Sequence, residues 1–207
     1  MSLSYPLTHP TTPGFSSITW RPRSVVGVAS SPFTGQRQTY AWPGQWWEVD
    51  ITLPPMKTAT AEPWVAFLIG LNGQEGTFNL GDSVRTTPRG VGTGTPLVNG
   101  GSQTGYDLVT DGWTISQTGI MKAGDWVQLG TGSTARLHKV MADANSNGSG
   151  QATLTLWPAL RSSPADNAAL TVNAAKGLFA LAGNSDGWSV DVVKLYGLSF
   201  SAREVLV

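Results

Sequence analysis

The stretch "WWEVDITL", residues 46–53, decides the fold class. Successive side chains of an extended chain point to opposite faces, so Trp47, Val49, Ile51 and Leu53 share one side while Trp46, Glu48, Asp50 and Thr52 share the other. This alternation predicts a strand with one face on a core. A second stretch, "WSVDVVKLYGLSF" at 188–200, puts Trp188, Val190, Val192, Tyr196, Leu198 and Phe200 on one parity with only Lys194 interrupting. It predicts one long strand, able to pair with several partners. Shorter strands are expected at "SITW", "SVVGVA", "DWVQLG", "ARLHKVMA", "ATLTLW", "LTVN" and "LFALA", separated by Gly, Pro, Asn and Ser.

One helix is predicted, at about 61–71. In "AEPWVAFLIGLNG", Trp64, Phe67, Leu68 and Leu71 recur at helical spacing, Thr60 is placed to cap, Pro63 falls in the first turn, and Asn72-Gly73 supplies a left-handed stop. The expected fold is therefore mainly β, a sandwich-like sheet with one amphipathic helix. The stretch "TTPRGVGTGTPLVNGGSQTG", 86–105, is dense in Gly and Thr and reads as a linker or long exposed loop. It divides the chain into a first β domain, 1–90 completed by 186–207, and a second β-rich domain or insertion, 91–185.

Lys plus Arg and Asp plus Glu each number 13, so there is no net charge to wrap nucleic acid or an anionic membrane. Charged residues make up 13%, about half the usual share, which predicts a surface largely covered by neighbours. The absence of cysteine excludes disulfides and thiolate chemistry. "MSLSYPLTHPTTPGF" has neither the basic start nor the apolar run of a signal peptide, and "WVAFLIGL" at 64–71 falls short of the roughly 20 residues of a membrane span. A soluble chain with no membrane partner is expected.

Several motifs are offered in contexts that refuse them. Asp143, Asn145, Asn147 and Gly148 have the spacing that opens an EF-hand loop, but its twelfth position is Leu154 and its flanks read as strands, so a hairpin tip is expected rather than calcium. "GNSDG" at 183–187 matches a nucleophile elbow at Ser185, yet a strand follows and both histidines, His9 and His138, precede it. "GTGSTA" at 130–135 resembles a dinucleotide fingerprint, but "RLHKV" reads as a strand where a helix should open. His9 lies in a proline-rich start read as mobile, and His138 in a strand, which does not suit a catalytic zinc. Glu48, Asp50, Asp125 and Asp191 are available as paired carboxylates, and nothing distinguishes them from solvated strand residues. No catalytic residue, metal ligand or cofactor is expected.

"AWPGQWW", 41–47, gathers three of the nine tryptophans around an expected turn. Trp47 fits the core. Trp42 and Trp46 are candidates for exposed contact surface, with protein contact favoured over sugar stacking.

The order of landmarks is also informative: "SPFTGQRQTYAWPGQWWEVDITLPP", the helix, "GQEGTFNLGD", "PLVNG" and "DGW", "KAGDWVQLG" with "ATLTLWPALR", and a closing "YGLSFSARE". This series resembles small tail-tip proteins of tailed bacteriophages, most nearly the distal tail protein family, over almost the whole chain. The resemblance implies a tail-tube-like sheet and a homo-oligomeric ring, a hexamer, at the distal end of the tail tube. Its partners would be further copies of itself, the tail tube protein, the tip hub and the tape-measure protein, with DNA passing transiently through the lumen. The protein would be made in the host cytoplasm and reside in the virion tail. Some members carry a carbohydrate-binding domain after the tube-like part, which is not seen before Val207. On this reading "GVGTGTPLVNGG" and "DANSNGSG", with Asn145 and Asn147, are contact or lumen loops. Tube subunit, terminator and short-tail adaptor are neighbouring roles; a carbohydrate-binding module is the alternative outside virions, and a glycoside hydrolase comes last.

Overall fold

The computed structural model describes residues 3–185 and 187–206, so the outer limits 1, 186 and 207 set for the first domain lie outside it. The chain is mainly β, with two sheets and one α-helix among the described residues. "WWEVDITL" is the inner half of β2 (Arg37–Thr52), and its Trp47, Val49 and Ile51 are all buried. Its neighbours are β1 (Ser17–Ser30) on one side and β13 (Leu195–Glu204) on the other, and β11 (Lys176–Leu181) and β4 (Thr77–Gly81) extend the sheet beyond β13. The register Phe200↔Ile51 and Ala202↔Val49 sets the apolar residues of β13 beside those of β2 on one face. Short β3 (Met56–Lys57) and β12 (Trp188–Val190) pair with the start of β13.

Six strands form the second sheet, in the order β10 (Leu170–Thr171), β7 (Trp126–Leu129), β8 (Arg136–Val140), β9 (Ala152–Leu160), β6 (Gly105–Trp113) and β5 (Gly94–Val98). It curls into a nearly closed barrel. The first and last strands meet where the Val98 N–H donates to Ala168 O at 2.9 Å and the Asn167 N–H to Val98 O at 2.9 Å. Leu108, Val127, Val140, Leu154 and Leu156 fill its interior.

The buried face of the first sheet has two covers. Helix α1 (Thr58–Gly70) lays Trp64, Phe67 and Leu68 over Phe78 and Phe200, and the barrel supplies Trp126 and Leu137 beside Trp47. The aromatic junction is dense: ring centroids lie 5.0 Å apart for Trp20–Trp126 and Trp47–Trp126, and 4.5 Å apart for Trp47–Trp157. The opposite face is polar, with Arg21 paired to Asp50 and Arg23 to Glu48.

Several expectations are corrected. The helix begins a turn earlier than 61, because β3 leads straight into it; Lys57 takes the cap position with no side-chain bond, and Pro63 lies inside the helix. The left-handed stop at Asn72 (φ 51°) and Gly73 (φ 67°) is present. "WSVDVVKLYGLSF" is not one strand but the hairpin β12–β13. The Asp191 carboxylate accepts the N–H groups of Val193 and Leu195, and Lys194 turns left-handed (φ 63°). Conversely, "SITW" and "SVVGVA" fuse into β1 through Pro22, which an edge strand tolerates because its N–H side need not pair. "AWPGQWW" is not a turn but a bulge in β2, where the pairing jumps from Ser24↔Gln45 to Val26↔Ala41. Pro43 there has no N–H to give, and a Cβ on Gly44 would press against Val25 at 3.1 Å.

The supposed linker 86–105 contains β5, whose Val98 is fully buried, and its approach is pinned along the barrel rim by bonds such as Gly92 N–H to Ile120 O. The second sheet runs from β5 to β10, and the chain re-enters the first sheet with β11, earlier than position 186. Nor is the N-terminal stretch loose. Tyr5 donates its hydroxyl to Gly70 O at 2.9 Å, and the His9 ring stacks on Trp64 with centroids 5.9 Å apart. Among the described residues no helix is long and apolar enough to cross a membrane.

Candidate functional site

The most conspicuous feature is an arm. Past Glu48, opposite Arg203, β13 no longer accompanies β2, and β1 and β2 continue alone as a two-stranded ribbon to a turn at 31–36. From Ser24 to Ser30 at about 3.3 Å per residue, it extends on the order of 20 Å. Gln45 fixes its root: its carbonyl accepts from Arg161 at 3.0 Å, its side-chain oxygen accepts from the Ala159 N–H at 2.9 Å, and its amide donates to the Tyr106 hydroxyl at 2.8 Å. Beyond that root, Val26 and Val28 lie exposed on one face, Tyr40 and Trp42 on the other, and Phe33 at the tip is 95% exposed. Between Trp20 and Trp47 the only charged residues are Arg21, Arg23 and Arg37.

A second apolar projection lies at the other end of β13. The β12–β13 hairpin presents Val190, Val192 and Val193, with Val192 100% exposed, and Trp188 borders a groove shared with Ile69 and Leu68.

The structure separates the expected site residues. Trp42 is on the arm, edge-on to Tyr40 with centroids 4.6 Å apart, and about half exposed. Trp46 is only partly exposed. The Arg203 guanidinium lies 4.2 Å from its ring centroid, and its indole N–H donates to Glu48 at 3.0 Å. Asn145 and Asn147 are far along the chain from both tryptophans, in the loop joining β8 to β9, and their side chains hold local backbone: Asn145 accepts from the Gly119 N–H at 2.7 Å, and Asn147 from the Ser149 and Gln151 N–H groups at 2.9 Å. Asp143 is likewise engaged with the Ala123 N–H at 2.8 Å. "GTGSTA" forms a single 3-10 turn, Gly132–Thr134, between β7 and β8. Asp186 of the "GNSDG" stretch lies outside the described residues.

The candidate carboxylates have partners within the fold. Asp125, which is buried, accepts the N–H groups of Arg89 (2.7 Å), Gly90 (3.0 Å) and Lys122 (2.8 Å). Glu48 is held below the usual carboxylate range, first by its hydrogen bond from Arg23 and then by that from Trp46. Asp50 accepts from Ser201 at 2.6 Å. Among the described residues no three His, Asp or Glu side chains gather as a metal would need.

Sequence reading missed a buried polar node under the arm root. Glu204 takes Arg161 in a two-pronged pair, 2.6 and 3.2 Å, and also accepts the Trp47 backbone N–H at 3.1 Å. Beside it His138, 1% exposed, contacts Pro158 O through Nδ1 at 2.8 Å. Burial pushes the His138 imidazole down to about 4, the Pro158 bond opposes this, and the Arg161 and Arg136 charges add to it. The parity of "RLHKV" was the available signal: with Leu137 facing the first sheet, His138 must face the barrel interior.

No protein-family model matches this chain, and no curated protein matches it.

Proposed function

We propose that the chain is a structural subunit of a bacteriophage tail, forming a hexameric ring at the distal end of the tail tube and joining it to the tip complex. The observation that carries this reading is the arm. A two-stranded ribbon is marginal in water by itself, and this one has apolar groups on both faces, so it needs a neighbour to cover it. The β12–β13 hairpin supports a particular kind of neighbour. It stands at the far end of a ten-residue strand, about 30 Å from the arm root, and differs from the arm in length and sequence. Two unlike apolar surfaces at opposite ends favour head-to-tail contact, the type that closes into rings, over self-complementary pairing.

In this proposal the first partner is another copy of the chain, followed by the tail tube protein, tip hub and tape-measure protein, with DNA crossing the lumen during ejection. Host-sugar binding at Trp46 is disfavoured, because Arg203 already covers a face of its ring. The test is mass in solution with negative-stain imaging, for the native chain and for one whose arm, 26–41, is replaced by a tight turn. The expected result is rings, a multiple of 21.8 kDa, with a channel wide enough for duplex DNA, and their loss on shortening the arm. Rings that survive without the arm, or a native chain that remains a monomer at every concentration, would sink the proposal.

A further inference from the structure

Resting on the head-to-tail contact proposed above, we infer that the groove between the end of α1 and the β12–β13 hairpin receives the arm tip of the next copy. Phe33 enters between Ile69 and Trp188, and Arg37 faces Glu75. The groove is out of reach of its own arm. Trp188 pairs with Leu198, which sets the groove near the start of β13, whereas β2 leaves β13 where Glu48 pairs with Arg203 and runs on in the same direction. From that level to the turn at 31–36 is on the order of 45 Å along the strands. An arm that fills the groove therefore comes from a second chain.

The two surfaces match in size. The groove has a volume of about 280 Å³ and is lined by the buried Leu68 and Leu181 and the exposed Ile69 and Trp188. A cavity of about 150 Å³ accepts benzene, so one aromatic ring fits. Phe33, at the end of the ribbon, is the side chain presented for such a slot.

They also match in charge. Of the arm's arginines, Arg21 and Arg23 are paired with Asp50 and Glu48, and only Arg37, beside the tip, has no carboxylate partner among the described residues. The groove carries the opposite sign. Asn72 on its wall donates to Glu75, an exposed carboxylate with no cation partner among the described residues. The last turn of α1 has no basic residue to offset the partial negative charge of its carbonyl end. A buried aromatic anchor with an arginine–carboxylate pair at its rim is a recurrent form of protein interface. Because arm meets groove and not arm, the contact is heterologous, as ring closure requires.

The chain has no cysteine, so placed cysteines report contact without background. Chains carrying Thr34→Cys and Asn184→Cys, both exposed positions beside Phe33 and in the groove, are mixed, concentrated together and treated with a short bismaleimide. A product of twice 21.8 kDa is expected from the mixture, and none when Thr34→Cys is mixed with Ile115→Cys on the barrel. Arg37→Glu and Glu75→Arg should each weaken assembly about fivefold, and the two together should restore it. An arm-dependent oligomer without the cross-link, or with equal cross-linking to Ile115→Cys, overturns the groove assignment and leaves the ring reading standing. Open filaments that carry the cross-link sustain the groove and sink the ring. A chain that stays monomeric at every concentration overturns both.

Discussion

Trp42 and Trp47 lie on the same strand, yet one is half exposed on the arm while the other is 4% exposed among three further aromatic rings. The difference lies in what accompanies β2. At Trp47 the strand has the barrel above it and β1 and Glu204 beside it. At Trp42, among the described residues, it has only β1. Tryptophan content therefore says little by itself; neighbours decide whether the ring stabilises the monomer or waits for another molecule.

The sharpest way to break this contrast is at the junction. Trp47→Ala removes a buried indole and its bond to Leu137 O, and should cost about 4 kcal/mol in urea unfolding. A loss below about 1 kcal/mol would mean that sheet and barrel do not share one core. Next is Glu204→Leu, which strands Arg161 at 15% side-chain exposure without its counter-charge and should cost about 3 kcal/mol.

The third prediction concerns pH. His138 stays neutral in the folded chain down to about 4, whereas the unfolded chain takes up the proton near 6.5. Stability from this group is complete above about 6.5 and falls as pH drops toward 4, by on the order of 3 kcal/mol. Urea midpoints across that window should decline for the native chain, with a shallower slope for His138→Gln. Parallel slopes would show that His138 titrates normally.

The smallest stability effect is expected on the arm. Phe33→Ser and Trp42→Ser should each change unfolding by less than about 0.5 kcal/mol, yet reduce the oligomer mass. A large stability loss at either position would place the arm inside the monomer's own core.

Much of the core was legible because the signal was periodic. Trp47, Val49, Ile51 and Leu53, and Trp64, Phe67, Leu68 and Leu71, are all buried as their spacing implies. The failures have separate causes. In β5 and β6 the buried Val98, Leu108, Thr110 and Trp113 stand among Gly, Thr, Asp and the exposed apolar Tyr106 and Val109, so alternation is faint in "GTPLV" and "GYDLVTDGW". The arm was hidden differently. Pro43 and Gly44 read as a chain reversal, whereas a bulge uses the same residues and lets the strand continue. The polar node at Glu204, Arg161, His138 and Gln45 joins positions too distant in sequence for any local pattern to reveal them.

The strand order also constrains how the molecule comes into being on the ribosome. All six barrel strands lie within 94–171, so each can find its neighbours as soon as that segment has emerged. β2 is made early but must wait for β13, whose last paired residues are beyond position 200. During that interval the valines and aromatic rings of the arm and the apolar face of β2 are exposed together, the condition under which nascent chains adhere to one another. Synthesis rate and chaperone access between residues 52 and 195 therefore bear on yield.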